Sequence, residues 1–230
     1  MMSFQFLANL IIWYVVFVFS TTCHEAAHAF VALLGGDRTA YDGGQVTLDP
    51  MPHIRRSPFG MVILPLLTFF LSGGGYLFGF ASAPYDPYWA QRNPTKYARM
   101  SLAGPLANFA LALLAVVLMV LGVKAGLLQP GFSHIVSGQG IWEPVAMMLH
   151  VLLFLNVLLG LFNLLPLPPL DGAAVLEGAF PDTVGQFYRR MRAYPMADFL
   201  IMIVIFNFGG RLISLPMNWL LSLAHFVVFS

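Results

Sequence analysis

Five long apolar stretches constrain this chain more than any other feature of its sequence. They run roughly from 4 to 34, 58 to 82, 98 to 123, 143 to 180 and 197 to 229. A helix needs about 20 apolar residues to cross the hydrocarbon core of a bilayer, and each stretch is long enough. Hydrophobic residues make up 59% of the chain and charged residues only 9%, far fewer than in a soluble domain. We therefore expect an all-α polytopic membrane protein.

Interruptions within these stretches leave the number of spans open. The fourth stretch is broken by PLPPLDG at 166–172, and the fifth by FGGRLISLP at 208–216. A run of three glycines at 73–75, together with Pro65, also allows the second stretch to be re-entrant. We predict five or six transmembrane or re-entrant helices. Lysine and arginine are spread too evenly over the loops to orient them in the membrane.

The connection after the first stretch has the composition of a short β-hairpin. Asp42, Gly43 and Gly44 form a turn signal, and Val46 and Thr47 are strand formers. We expect a hairpin over 39–48, whose edge strand could hold an unwound substrate segment by β-augmentation.

The remaining composition points to one membrane domain. No sequence of a second soluble domain or repeat is present, so we expect a single integral-membrane domain over 1–230. Its core covers about 4–180, and a hydrophobic C-terminal segment covers 197–229. Residues 1–20 contain no Lys or Arg, which favours a retained transmembrane helix over a secretory signal. The net charge of +1 offers no basic face for nucleic acid; the expected surroundings are the lipid bilayer.

Three polar residues interrupt the first apolar stretch in HEAAH at 24–28. In a helix, His24 and His28 lie four residues apart on one face, where both imidazoles can bind one Zn²⁺. Glu25 lies beside them, placed to accept a proton from a water at the metal, as in HExxH metalloproteases. An ionisable Glu in hydrocarbon is costly without a partner. Metal binding therefore explains all three residues better than packing alone does.

A catalytic zinc usually has three protein ligands, and the acids left within the apolar stretches are chiefly Asp171, Glu177 and Asp198. Asp171 stands out because prolines break the helix just before it and Gly172 follows it. Non-helical backbone at membrane depth is tolerated only where it is buried in protein or lines a watery cavity. Spacing alone leaves two alternatives for Asp171, a metal ligand or a carboxylate in a loop at the membrane surface.

Three motifs together resemble the site-2 protease family of intramembrane zinc metalloproteases. They are HEAAH at 24–28, AGPLANF at 103–109 and NLLPLPPLDG at 163–172, the last following the family pattern NxxPxPxLDG. The resemblance covers about 20–175, and GFASAPYDP at 79–87 is similar to a segment of short bacterial members. The chain lacks the PDZ-like insertion of many members.

This resemblance implies one zinc ion per chain, held by His24, His28 and Asp171, with Glu25 as general base. It places Asn163 near the metal, as a candidate to polarise the scissile carbonyl. Asn108, in GPxxN, is a further catalytic candidate, although it could instead serve the close packing of helices at small residues.

The implied function is that of a zinc metalloendopeptidase. It would hydrolyse peptide bonds within or near transmembrane segments of membrane-protein substrates, in regulated intramembrane proteolysis at the bacterial cytoplasmic membrane. Neither the substrate nor the oligomeric state follows from the residues. The alternative is a non-catalytic zinc-binding membrane protein or a metal transporter, which would need more polar residues along a path across the bilayer than the apolar stretches contain. A membrane di-iron oxygenase needs more histidine pairs than six histidines with one HxxxH provide.

Overall fold

The structure, a computed structural model, describes the backbone of residues 4–131, 134–192, 194 and 196–229. Most of it is helical, which confirms the all-α prediction. The helices are α1 (Phe4–Gly35), α2 (Thr39–Asp42), α3 (Pro50–Arg56), α4 (Leu64–Leu71), α5 (Pro87–Arg92), α6 (Pro94–Lys124), α7 (Trp142–Asn163), α8 (Asp171–Ala179), α9 (Val184–Arg192) and α10 (Ala197–Phe229). A π-helical turn, Phe59–Ile63, leads directly into α4.

Four of these helices are long and apolar enough to cross a membrane. They are α1, α6, α7 and the Gly210–Phe229 part of α10. Helices α1, α6 and α7 form the centre of the bundle around Phe17, Ala115 and Val151, each at most 1% exposed. Small residues let these helices approach closely; Gly160 of α7, for example, lies against the ring of Phe109 on α6.

The second apolar stretch folds back on itself, and we call it the re-entrant segment. α3 and the helical run Phe59–Leu71 meet at a bend of 110°, and after Ser72 the chain turns back in extended conformation. On the way back, Phe80 N–H donates to the carbonyl of Gly60 at 3.0 Å. The segment then leaves where it entered, because Asp86 N–H donates to Asp37 Oδ2 at 2.8 Å, next to the end of α1. Four spans and this segment make five, within the predicted range.

The predicted hairpin at 39–48 is wrong. Over this fully described segment the backbone forms α2 followed by turns and bends, and no strand. Asp37 starts the helical turn by accepting hydrogen bonds from Thr39 N–H at 2.9 Å and Thr39 Oγ1 at 2.6 Å. Gly44 then ends it, with φ of +71° and bonds from Gly44 and Gln45 N–H back to Tyr41 and Ala40. These two bonds form a Schellman cap, so Asp-Gly-Gly terminates a helix here and does not turn a hairpin.

Strands occur instead in the loop between α6 and α7. β1 (Gln129–Pro130) and β2 (Val136–Ser137) pair antiparallel, with Gln129 opposite Ser137. This sheet is remote in sequence from α1, so the edge strand expected at 39–48 is withdrawn together with its hypothesis of β-augmentation.

The predicted break in the fourth stretch is present. α7 ends at Asn163, and an irregular segment containing three prolines separates it from α8, which begins at Asp171. Tyr188 of α9 contacts this segment, because its hydroxyl donates a hydrogen bond to the backbone carbonyl of Pro166 at 2.7 Å. The break therefore turns the chain inward and returns the start of α8 to the bundle.

Candidate metal centre

His24 and His28 lie on the buried face of α1, one helical turn apart. Their side chains are almost fully enclosed, and their Nε2 atoms approach to 3.0 Å. With straight helical geometry this spacing is expected of positions i and i+4. Local sequence therefore dictates the first half of the site.

Asp171 supplies the second half from the first residue of α8. Its Oδ2 lies 3.1 Å from His24 Nε2, and its Oδ1 lies 3.3 Å from His28 Nε2. Close packing at the break keeps it there, because a Cβ on Gly172 would overlap the backbone of Leu164 and Leu165. The structure therefore places the Asp171 carboxylate beside both imidazoles.

The other imidazole nitrogens are also engaged. His24 Nδ1 lies 2.6 Å from Asn108 Oδ1, and His28 Nδ1 lies 2.8 Å from the backbone carbonyl of Met100. An oxygen of this kind accepts a hydrogen bond, so each Nδ1 carries the proton. In the neutral imidazole each Nε2 then has a lone pair, the form that binds a metal.

The arrangement fits a tetrahedral zinc ion. Ligands about 2.0–2.1 Å from zinc in a tetrahedron are separated by about 3.3 Å. The two Nε2 atoms are 3.0 Å apart, and each has one oxygen of the Asp171 carboxylate at 3.1 or 3.3 Å. With both imidazoles neutral, two nitrogen lone pairs and a carboxylate at such distances would repel one another unless a metal cation lay between them. Within the described part of the chain, these three residues form the one cluster of His, Cys, Asp or Glu with this property.

Gly104 of α6 provides the space in front of the two imidazoles. A Cβ at this position would overlap Nε2 of both His24 and His28. The missing side chain therefore leaves room where a metal would lie.

The remaining predicted site residues are Glu25, Asn163 and Asn108. Glu25, next to His24 in α1, is buried at 5% exposure. Asn163 is the last residue of α7, and its amide donates to Leu159 O in the same helix at 3.0 Å, which does not join it to the cluster. Asn108 is fully buried on the far side of His24, so its position favours support of that imidazole over contact with a substrate.

The other two acids weighed as third ligand do not join the cluster. Glu177 pairs with Arg189 at 3.4 Å, and the side chain of Asp198 lies outside the described residues.

Sequence reasoning missed Asn156 of α7. It is 0% exposed and bonds to Asn108 and Ser20. An isolated Asn in an apolar helix is itself a signal, since polar groups at membrane depth need partners.

Comparison with known proteins agrees with this geometry. The model of Peptidase family M50 matches residues 12–206. The chain belongs to peptidase family M50. This membership confirms the resemblance to the site-2 protease family. Together with the long apolar helices, it makes the protein an integral-membrane metalloprotease.

Individual relatives of the M50 chain are bacterial. It is 33% identical over 189 residues to the Bacillus subtilis protein named "Putative zinc metalloprotease YwhC", covering 81% of this chain and 77% of that one. It is 32% identical over 186 residues to "Putative zinc metalloprotease Rip2" of Mycolicibacterium smegmatis, covering 81% of this chain and 62% of the relative. A Mycobacterium tuberculosis protein of the same name is 36% identical over 158 residues, which is 69% of this chain and 53% of the relative. No solved structure matches the chain.

Proposed function

We propose that this protein is an intramembrane zinc endopeptidase that cleaves membrane-protein substrates within or near their transmembrane segments. The observation that carries the proposal is the convergence of His24, His28 and Asp171 inside a bundle of apolar helices. The names of the bacterial relatives support zinc as the metal. The long apolar helices support a location in a membrane, which we propose is the bacterial cytoplasmic membrane.

The depth of the cluster supports a substrate that is itself in the bilayer. His28 and His24 lie seven and eleven residues before the end of α1 at Gly35, or about 10 and 16 Å at 1.5 Å per residue. A peptide bond must reach this level to react. A substrate helix has its carbonyls engaged in backbone hydrogen bonds, so it must unwind locally before attack.

His24, His28 and Asp171 would hold one zinc ion per chain. When bound, zinc would polarise the scissile carbonyl and make a water acidic enough to lose a proton near neutral pH. Glu25 removes that proton while the water oxygen bonds to the carbonyl carbon. It then delivers the proton to the amide nitrogen as the C–N bond breaks. Asn163, near the break that precedes Asp171, is the candidate to donate a hydrogen bond to the carbonyl oxygen.

Zinc analysis combined with cleavage of a model transmembrane substrate tests the proposal. The wild-type protein should contain about one zinc per chain and cleave the substrate. Glu25→Gln should keep the zinc and lose about 10²- to 10⁴-fold in rate, the range for a general acid–base group. Asp171→Ala should lose both zinc and cleavage.

Glu143→Gln is the matched control, because it makes the same chemical change at an exposed position near the start of α7. It should behave as wild type. Equal cleavage by wild type, Glu25→Gln and Asp171→Ala would overturn the proposal. A wild-type protein that binds zinc and cleaves nothing would support the non-catalytic alternative.

A further inference from the structure

Four buried polar side chains form a continuous row of hydrogen bonds from His24 across three helices. His24 Nδ1 lies 2.6 Å from Asn108 Oδ1. Asn108 Nδ2 donates to Asn156 Oδ1 at 2.8 Å, and Asn156 Nδ2 donates to Ser20 Oγ at 2.8 Å. Ser20, Asn108 and Asn156 are each 0% exposed. In such surroundings hydrogen bonds are strong, and an unpaired polar atom is expensive.

The direction of this row is determined at its far end by a backbone carbonyl. Asn156 Nδ2 also donates to Leu152 O at 2.8 Å. A carbonyl oxygen can only accept, so Asn156 must turn its NH₂ group toward Leu152 and its oxygen toward Asn108. Asn108 must then present its own NH₂ group to Asn156.

This orientation of Asn108 determines which nitrogen of His24 carries the proton. With its NH₂ group used by Asn156, Asn108 presents Oδ1 to the imidazole. An oxygen acceptor requires a proton on Nδ1, so in the neutral imidazole the lone pair lies on Nε2. Nε2 is the atom that faces Asp171 and His28.

We propose that Asn156 is a positioning residue for the metal centre, which acts through Asn108 to hold His24 in the tautomer that binds metal. The proposal rests on the zinc site proposed above. His28 reaches the same state directly, through Met100 O. A backbone carbonyl therefore determines the tautomer of both imidazoles. Met100 O acts directly on His28, and Leu152 O acts on His24 through the amides of Asn156 and Asn108. Without Asn156, the Asn108 amide could rotate by half a turn, donate to Nδ1 and place the proton on Nε2.

Two measurements on the full-length protein in lipid nanodiscs test this role. The first is the dissociation constant for Zn²⁺, measured by competition with a chromogenic chelator. The second is the ¹⁵N NMR spectrum of the histidine side chains in zinc-free protein, which distinguishes protonated from unprotonated ring nitrogens. The His24 signals are assigned by their loss in His24→Gln.

Asn156→Leu should weaken zinc binding about 10-fold and Asn108→Leu about 10- to 100-fold, the range for groups that orient a metal ligand. In Asn156→Leu the His24 spectrum should change from one tautomer to a mixture of two. The double variant should bind zinc no more weakly than Asn108→Leu alone, because both changes act along one route.

Two control variants separate this role from packing. Ser20→Ala should keep the wild-type tautomer, because a hydroxyl can donate or accept and Leu152 O still orients Asn156. Thr22→Val changes another buried hydroxyl of α1, one without a hydrogen-bond partner in the described part of the chain. It should leave zinc affinity within about 2-fold of wild type, well below the effect of an orienting group.

The outcomes are distinguishable from failure of the proposed function. A wild-type protein that binds no zinc would overturn the zinc site itself. Wild-type zinc affinity and an unchanged His24 spectrum in folded Asn156→Leu would overturn the role of Asn156 alone. Should Asn156→Leu not fold, additive losses in Asn108→Leu combined with Asn156→Gln, or a changed tautomer in Ser20→Ala, would also overturn it.

Discussion

At the scale of single residues, the metal centre depends as much on a missing side chain as on those present. Gly104 of α6 faces both imidazoles, because a Cβ at this position would overlap Nε2 of His24 and of His28. The glycine is in helical conformation within α6, so the backbone does not require it there. Space for a ligand is the physical reason for glycine at this position.

Gly104→Ala should therefore abolish metal binding without harming the helix. Alanine is the better helix former by about 1 kcal/mol, but its Cβ would overlap both Nε2 atoms. We expect zinc affinity to fall about 100-fold or more, beyond the loss on removing an orienting group. Calorimetric titration with Zn²⁺ measures the change.

Gly210→Ala is the matched control, because a Cβ at this position of α10 meets no atom within 4 Å. It should bind zinc as wild type does. Unchanged zinc affinity in Gly104→Ala would contradict the assignment of the space.

At the scale of secondary-structure elements, Asp37 joins the end of α1 to the re-entrant segment. Its carboxylate accepts from Thr39 at one oxygen and from Asp86 N–H at the other. Burial opposes ionisation of this carboxyl group, but the hydrogen bonds from Thr39 and Asp86 outweigh it and lower the pKa of Asp37 below 3.8. The same bonds explain why 39–42 is helical, which composition alone did not indicate.

The lowered pKa of Asp37 predicts a stability difference that depends on pH. Asp37→Asn would turn an NH₂ group toward a donor, so we expect a melting temperature lower by roughly 5 °C at pH 7. A lowered pKa stabilises the folded state above the unfolded-state value and loses that effect as pH falls through the folded-state pKa. The gap in melting temperature should therefore narrow below pH 3.8.

Thermal unfolding in detergent, from neutral pH to about pH 3, measures this gap. Asp42→Asn is the control. The Asp42 side chain is 61% exposed and pairs with Arg38 at 3.2 Å, and such exposed ion pairs contribute little to stability. A gap in Asp37→Asn that is independent of pH would refute the role of the ionised carboxylate.

At the scale of the whole molecule, the re-entrant segment determines which loops share a side of the membrane. α1 ends and α6 begins at the same end of the bundle, since Lys96 Nζ donates to Gly35 O at 3.0 Å. All of 36–93 outside the re-entrant segment therefore belongs to one side. The loop between α6 and α7 belongs to the other, because α6 crosses in between.

Labelling of single cysteines tests this topology. With Cys23 replaced by serine, Asp42→Cys and Tyr88→Cys should react with a membrane-impermeant maleimide from the same side. Gln139→Cys should react only from the opposite side. All three positions are exposed in the structure. Labelling of positions 42 and 88 from opposite sides would mean that 58–82 crosses the membrane completely.

Much of the architecture, and the residues of the candidate metal centre, could be predicted from the sequence. The lengths of the apolar stretches predicted the membrane helices, because a helix needs about 20 apolar residues to cross the hydrocarbon core. The spacing of His24 and His28 follows from helical geometry, and the prolines before Asp171 required a break in α7. The resemblance to the site-2 protease family then identified Asp171 as the partner of the two histidines.

Tertiary structure alone decided features that depend on contacts between distant residues. The direction of the re-entrant segment depends on the bond between Asp37 and Asp86, and Asp-Gly-Gly ends a helix because Asp37 started one. Asn108 acts behind His24 because Asn156, on another helix, takes its NH₂ group. Sequence determined what each segment must bury and which side chains lie one helical turn apart. Only packing of the helices determined which of those side chains meet, because each such contact joins residues far apart along the chain.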